Sequence, residues 1–386
     1  MEKQRVTLKS RIKNCLRQVL YLLPIQKNKV VLLNFDGRGY GDNLKYIAEE
    51  IRRQRLPWRM IWLIRGEEDV PDYIKAINID GLSAFFHLAT AKILISNSKK
   101  NIPLNYILRK KKRQYYLQTW HGDFALKYIE KEIENTFSPG YVARSKVDSA
   151  ATNAILSGNK QFSVILKESF WLPVDCEILE YGAPRNDIYF RGEEYRNSLK
   201  KEYGFAIDDR ILLYAPTFRD DLDDRCFNID FDRLWMVLHQ SDNKNWKIIV
   251  RLHPNISTKV DLFSFNDRIA DGSSYPDQQE LCMISDYLIT DYSSIMGDFL
   301  LMKKPVFLYV PDLDKYSDIS TGRGLRNLFY HLPFSYSRNQ QELESSLLGF
   351  DEFGYPNRVN RFMEQYYNTF DDGHASERVV NHLKRV

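Results

Sequence analysis

The stretch DYLITDYSSIMGDFLLMKKPVFLYV, residues 286–310, holds a complete strand, helix and strand in succession. DYLITD is a short apolar run ending on Thr290 and Asp291, Tyr292 lies in a turn, Ser293 and Ser294 open a helix, and PVFLYV is the next apolar run. Strands alternating with helices predict a parallel sheet covered on both faces. The rhythm extends upstream through RILLYAPT (210–217) and WKIIVRLHP (246–254). It is present again in the first half, where VVLLNF (30–35), MIWLI (60–64), AKILISN (91–97) and YYLQTW (115–120) are the strands and KYIAEEIRRQ (45–54) is a helix. Two doubly wound domains are therefore expected, divided in EYGAPRNDIYF (180–190), where Gly182 and Pro184 punctuate the chain. The expected segments are 1–26, 27–184 and 185–386, with the helical stretch from about 356 free to cross back. Open α/β sheets bind ligands at the carboxyl ends of their strands, so functional residues are sought there, at a shared central cleft.

Composition supports a globular chain: 44% of the 386 residues are hydrophobic and 27% are charged, which excludes a disordered or fibrous protein. Four cysteines lie far apart without a CxxC pair, so neither a zinc site nor a disulfide framework is expected, and a reducing setting fits. No apolar run approaches the roughly 18 residues of a spanning helix, and the N-terminus has no signal-peptide core. Leu8, Ile12, Cys15, Leu16, Val19, Leu20 and Leu23 nevertheless recur at helical spacing among lysines and arginines. Such a face suits either a membrane interface or the protein's own core. A second basic run, RKKKR at 109–113, has no nucleic-acid module beside it, and nucleic acid is not expected as a partner.

Candidate chemistry clusters after strands. His121 ends YYLQTWHG and His253 lies in RLHP, and an imidazole at such a position can accept a proton or pair with phosphate. Ser293 and Ser294 begin a helix, where they either cap it or, with its N–H groups and dipole, favour an anion, and Asp298, one turn on, is either a solvated helix acid or a group that reaches a ribose hydroxyl. Thr217 and Arg219 follow one strand and Arg251 follows another, while Arg185 and Asn186 sit at the expected hinge. Guanidinium and hydroxyl groups suit phosphate oxygens. DGRGYGDN (36–43) is glycine-rich but follows neither GxGxxG nor a P-loop, so its Asp42 and Asn43 are assigned to an acceptor-side loop. No tight acidic cluster suggests Mg²⁺, and neither metal nor cofactor is expected.

Taken in order, QTWHG, the Leu126–Lys127 pair, GAPRND, YAPTFR, RLHPN, ITDYSSIMGDF and STGRGL…LPF resemble the CDP-glycerol glycerophosphotransferase family, the teichoic-acid primases and polymerases. The resemblance implies a GT-B fold, with the CDP-glycerol or CDP-ribitol donor held by the C-terminal domain and the acceptor by the N-terminal one. It also implies action at the cytoplasmic membrane face on an undecaprenyl-diphosphate-linked glycan or polymer. By position, His121 and His253 become the catalytic pair, and Gly122, Asp123 and Lys127 fall on the acceptor side. Two places depart from the family pattern: Asp123, Phe124 and Ala125 after WHG, and Met296 with Gly297 where a bulkier residue is common. A GT-B glycosyltransferase and a non-catalytic membrane-surface protein that binds polyanions are the rival expectations.

Overall fold

The computed structural model describes residues 16, 19–99, 110–219, 227–252, 263–319 and 323–386. In the first half of the chain β1 (Gln26–Leu33), β2 (Arg59–Ile64), β3 (Lys75–Asn78), β4 (Ala91–Ser96), β5 (Tyr115–Gln118), β6 (Ala154–Leu156) and β7 (Glu177–Leu179) form a seven-stranded sheet. Its order is 3-2-1-4-5-6-7 and every pairing is parallel. Side chains alternate across it as strand geometry requires. Val30, Leu32, Met60, Trp62, Ile93 and Ile95 enter one core, and Val31, Leu33, Ile61, Leu63 and Leu94 enter the other. The register sets Leu32 opposite both Trp62 and Ile95, so these large side chains share one face.

Helix Asp42–Arg53 covers the first core with Leu44, Ile47, Ala48 and Ile51, spaced for one helical face. Helix Ala375–Leu383 covers it as well, through Val379, Val380 and Leu383, so the chain's last helix lies on the sheet built by its first half. Helix Leu82–Thr90 closes the opposite face with Ala84, Phe85, Leu88 and Ala89, and Leu20 and Tyr21 pack beside it. Each such aliphatic or aromatic side chain contributes about 1.5–3 kcal/mol by leaving water.

The second sheet contains β8 (Arg210–Tyr214), β9 (Trp246–Val250), β10 (Ile269–Asp271), β11 (Tyr287–Thr290), β12 (Val306–Tyr309) and β13 (Tyr336–Ser337). Its order is 10-9-8-11-12-13, again wholly parallel. Leu212, Tyr214, Ile248, Val250, Ile289 and Phe307 meet Leu234 and Leu238 of helix Phe231–Asp242 and Leu343 and Leu347 of helix Gln340–Leu348. Asp230 starts the former helix by accepting from Arg233 N, and Asn243, left-handed at φ 55°, ends it.

Two compact units result: residues 1–121, 130–187 and 370–386, and residues 122–129 and 188–369. This differs from a single division at 184/185. The segment just past His121 is sorted with the second sheet, and Arg185 to Asp187 stay with the first. Asp371 holds the latter there, accepting from Ala183 N at 2.7 Å and from Asn186 Nδ2 at 3.2 Å.

Most of the N-terminal amphipathic stretch lies outside the described residues. Of the part described, Leu20 and Tyr21 face the first unit's core, whereas Leu16, Val19 and Leu22 are exposed. No helix among the described residues is long and apolar enough to cross a membrane. The RKKKR run is divided in use. Lys110 donates to Gln114 O and Asn153 Oδ1 and Lys111 donates to Leu23 O, whereas Lys112 and Arg113 are exposed.

Candidate active site

In the first sheet the strand order reverses beside β1, so β1 and β4 flank the switch point where open α/β sheets place ligands. Asn34 follows β1 and Asn97 follows β4; both are buried, and Asn97 Nδ2 donates to Asn34 Oδ1 at 2.7 Å and to Asp42 Oδ1 at 3.1 Å. Phe35 N in turn donates to Asn97 Oδ1 at 2.8 Å. After β5, Trp120 turns the backbone sharply in the left-handed region at φ 53°, held by a bond from its N–H to Gln118 Oε1. That turn delivers His121 to the same place: its Nδ1 donates to Asn97 O at 2.5 Å, with the rings of Trp120 and Phe35 against it.

Because Nδ1 is the donor, the neutral imidazole keeps Nε2 as its proton acceptor. Burial lowers the His121 pKa; the Asn97 carbonyl, Asp42 and Glu130 oppose that shift and Arg185 adds to it. The net effect is a ring that is neutral near pH 7, the state a general base needs.

Asp42, at φ 54°, pairs with Arg185 Nη1 at 3.2 Å, and both are buried. Asn43 accepts from Arg185 N and donates to Trp120 O, tying the loop after β1 to the turn before His121. Arg185, expected in the donor set from its place in GAPRND, lies in the first unit's polar cluster with Asp42 and Asn43.

The second sheet has its own switch point between β8 and β11. Asp291, buried at the end of β11, accepts from Thr217 N at 3.0 Å, Thr217 Oγ1 at 2.7 Å and Tyr292 N at 2.6 Å. Arg219 bridges Asp291 (2.9 Å) and Asp312 (2.6 Å), and its Nη1 donates to Thr217 O and Oγ1. Tyr292 donates to Asp312 and stacks on Tyr316, and Arg219 lies over both rings. All five guanidinium N–H groups are therefore engaged internally. Arg219, expected on phosphate, is the buried brace of this switch point. An arginine after a strand reads alike in either role, and its partner Asp312 lies too far along the chain to be recognised.

Arg251 likewise holds the loop after β10, donating to Gly272 O and Tyr275 O. Asp298 is buried and accepts from Gln279 Nε2 at 3.1 Å, so it is no solvated helix acid. Ser293 and Ser294 are half-buried beside helix Ile295–Leu301, and Ser293 Oγ accepts from Ile295 N. His253 lies outside the described residues.

The segment 122–129 lines this second cluster. A Cβ on Gly122 would come 2.5 Å from Ser294 Oγ, and a Cβ on Gly297 would come 2.6 Å from Phe124 Cβ and 2.7 Å from its ring. The two departures from the family pattern therefore compensate: the large Phe124 fills the notch that Gly297 leaves open. Asp123 is buried and accepts from Tyr367 OH at 3.3 Å. Lys127 pairs through its backbone with Leu325. Gly122, Asp123 and Lys127, expected on the acceptor side, all pack in the second unit. Among the described residues, no group of three or more His, Cys, Asp or Glu side chains is placed to hold a metal ion.

Two Rossmann-like parallel sheets, each with a polar cluster at its switch point, define a GT-B-like protein. The solved structure of a wall teichoic acid polymerase, TagF, shares this fold: it is 28% identical with a TM-score of 0.82, and the match covers 97% of this chain and 93% of that one. The chain belongs to the CDP-glycerol:poly(glycerophosphate) glycerophosphotransferase family, whose model matches residues 15–385.

Among curated relatives, a teichoic acid glycerol-phosphate transferase of Staphylococcus aureus is 32% identical over 94% of each chain. A teichoic acid poly(glycerol phosphate) polymerase of Staphylococcus epidermidis is 29% identical over 92% of this chain. This chain spans 50% of that longer protein.

Proposed function

We propose that this protein transfers glycerol phosphate, or a related alditol phosphate, from a CDP-alditol to a hydroxyl of a lipid-linked envelope polymer. His121 is the general base. Its Nε2 takes the proton as the acceptor oxygen attacks the β-phosphorus; the new O–P bond forms, the bridging P–O bond breaks, and CMP leaves. The observation that carries this reading is the His121 Nδ1 to Asn97 carbonyl bond, which fixes the tautomer with Nε2 as acceptor while burial keeps the ring neutral.

Ser293 and Ser294 supply hydroxyl groups for the diphosphate, and His253 joins them on the strength of the RLHP motif. Phosphoryl transfer depends chiefly on such positioning and electrostatic stabilisation. The reading invokes no metal, so activity should persist in chelator.

At the membrane, the exposed Leu16, Val19 and Leu22, with Lys112 and Arg113, form the approach to a lipid-linked acceptor. Basic residues near an anionic surface contribute about 1 kcal/mol each.

The test is a screen of CDP-glycerol, CDP-ribitol and UDP-sugars with product masses determined, alongside His121→Asn. Glycerol phosphate or ribitol phosphate addition by the parent, and a turnover loss of about 10²- to 10⁴-fold in the variant with donor affinity retained, is expected. Sugar addition, or normal turnover in His121→Asn, overturns the reading.

A further inference from the structure

Lys29 lies in β1 with none of its surface exposed. Its ammonium donates to Thr90 Oγ1 at 2.6 Å and sits 4.5 Å from the centre of the Phe86 ring. The hydroxyl proton of Thr90 is itself committed to Phe86 O, so Lys29 is the donor in that bond. An ammonium carries three N–H groups and is costly to bury without an anion. Among the described residues Lys29 has no ion-pair partner.

The sheet register puts two more cations on the same face. Arg59 stands opposite Lys29, and Lys75 stands opposite Ile61, two residues further along β2. Arg59 and Lys75 are exposed and line a cleft of about 500 Å³ together with Trp58, Asp72 and Tyr73. Arg59 makes one long contact, to Gln26 Oε1 at 3.4 Å, whereas the side chains of Lys75 and Asp72 make no hydrogen bond or ion pair among the described residues. Three cations thus share this corner with one carboxylate. Beside Lys29, His87 is 4% exposed and edge-on to Phe86 at 5.2 Å, and its Nδ1 has no hydrogen-bond partner. Burial, Arg59 and Lys75 pull Lys29 down to about 8, and burial, Lys29, Lys75 and Arg59 take His87 down to about 4, so that ring stays neutral.

We propose that this corner of the first unit is a phosphate-binding site, in which Arg59 and Lys75 hold the phosphate group of a small ester or a lipid headgroup and Lys29 supports it from behind. A phosphate offers oxygens in several directions and so accepts from a guanidinium and two ammonium groups at once, which a planar carboxylate does less well. The site stands apart from the transfer reaction. It lies at the amino-terminal ends of β2 and β3, whereas Asn34, Asn97 and His121 follow the carboxyl ends of β1, β4 and β5. Six residues of β4 span about 20 Å, so a phosphate held here is remote from the imidazole and is bound without being transformed.

The experiment measures binding of glycerol phosphate by calorimetry, and sedimentation with phosphatidylglycerol or phosphatidylcholine vesicles, for the full chain and four variants. Arg59→Met and Lys75→Met should each weaken binding at least about 10-fold, the usual worth of a charge-assisted hydrogen bond. Lys27→Met removes one exposed charge nearby but outside the cleft, and should leave binding nearly unchanged. Binding of glycerol phosphate identifies a soluble ester as the source, and binding confined to phosphatidylglycerol vesicles identifies a headgroup; either, with this pattern of variants, supports the site. Lys29→Met should bind weakly yet melt no lower than the parent in phosphate-free buffer, because a buried thioether needs no anion. A fall in its melting temperature would show that Lys29 serves the fold and would remove it from the site. A parent that binds neither probe, exposed-residue variants that bind like the parent, or an equal loss in Lys27→Met overturns the proposal and leaves the transferase reading untouched.

Discussion

Gly297→Ala tests the packing that ties the WHG segment to the second unit. The new methyl carbon would sit 2.6 Å from Phe124 Cβ and 2.7 Å from Cγ and Cδ2. Those distances fall about 1 Å inside the optimum for carbon atoms. Phe124 is only 4% exposed, so the ring cannot swing into solvent without leaving a hole. Overpacking of this kind costs about 1–3 kcal/mol, while alanine gains about 1 kcal/mol over glycine within a helix. The net expectation is a loss of up to about 2 kcal/mol.

Phe124→Ala alone should cost about 3–5 kcal/mol. In that background the ring contacts are gone while the 2.6 Å contact with Cβ remains, so Gly297→Ala should cost less than it does beside the ring. Urea denaturation followed by far-UV circular dichroism, run on all four proteins, measures the coupling, expected at about 1–3 kcal/mol. Equal effects of Gly297→Ala with and without the ring would refute the compensation between the two positions.

Three further outcomes follow from the site. Arg219→Met should destabilise the second unit by about 3–5 kcal/mol in thermal or urea unfolding, because Asp291 and Asp312 lose their shared cation; a pure rise in donor KM without a stability loss would return Arg219 to the role of phosphate ligand. The acid limb of kcat/KM should lie below the ordinary histidine value of about 6.5 and move lower in Asp42→Asn, since Asp42 raises the His121 pKa and Arg185 lowers it; an upward move in the pH profile would contradict this. Gly122→Ala should displace the Ser294 hydroxyl and raise donor KM, an effect that vanishes when Ser294 is already alanine.

The eight longer apolar runs of the sequence all became strands, because a buried parallel strand needs a continuous run of branched and aromatic residues and little else. β3, β6, β7, β10 and β13 escaped notice: they span two to four residues, too few for a period to emerge. His121 was legible because an ionisable ring followed by glycine is odd at a strand end. Its support was not, since Asn97 and Asn34 stand outside any motif and act through the reversal of strand order, which pairs β1 with β4. That segment 122–129 sorts with the second unit was hidden for a related reason: it follows His121 directly in the WHG motif, whereas Phe124 and Lys127 are held by partners about 170 to 200 residues further on.

Because 122–129 completes the second unit, a gene cut at Ile188 would separate that unit from one of its own parts. A fragment covering 188–369 would encode every strand of its sheet yet present an unfilled notch at Gly297. Chimaeras that import this half from a relative must therefore carry the matching eight-residue insert, or the residue opposite position 297 will meet the wrong neighbour.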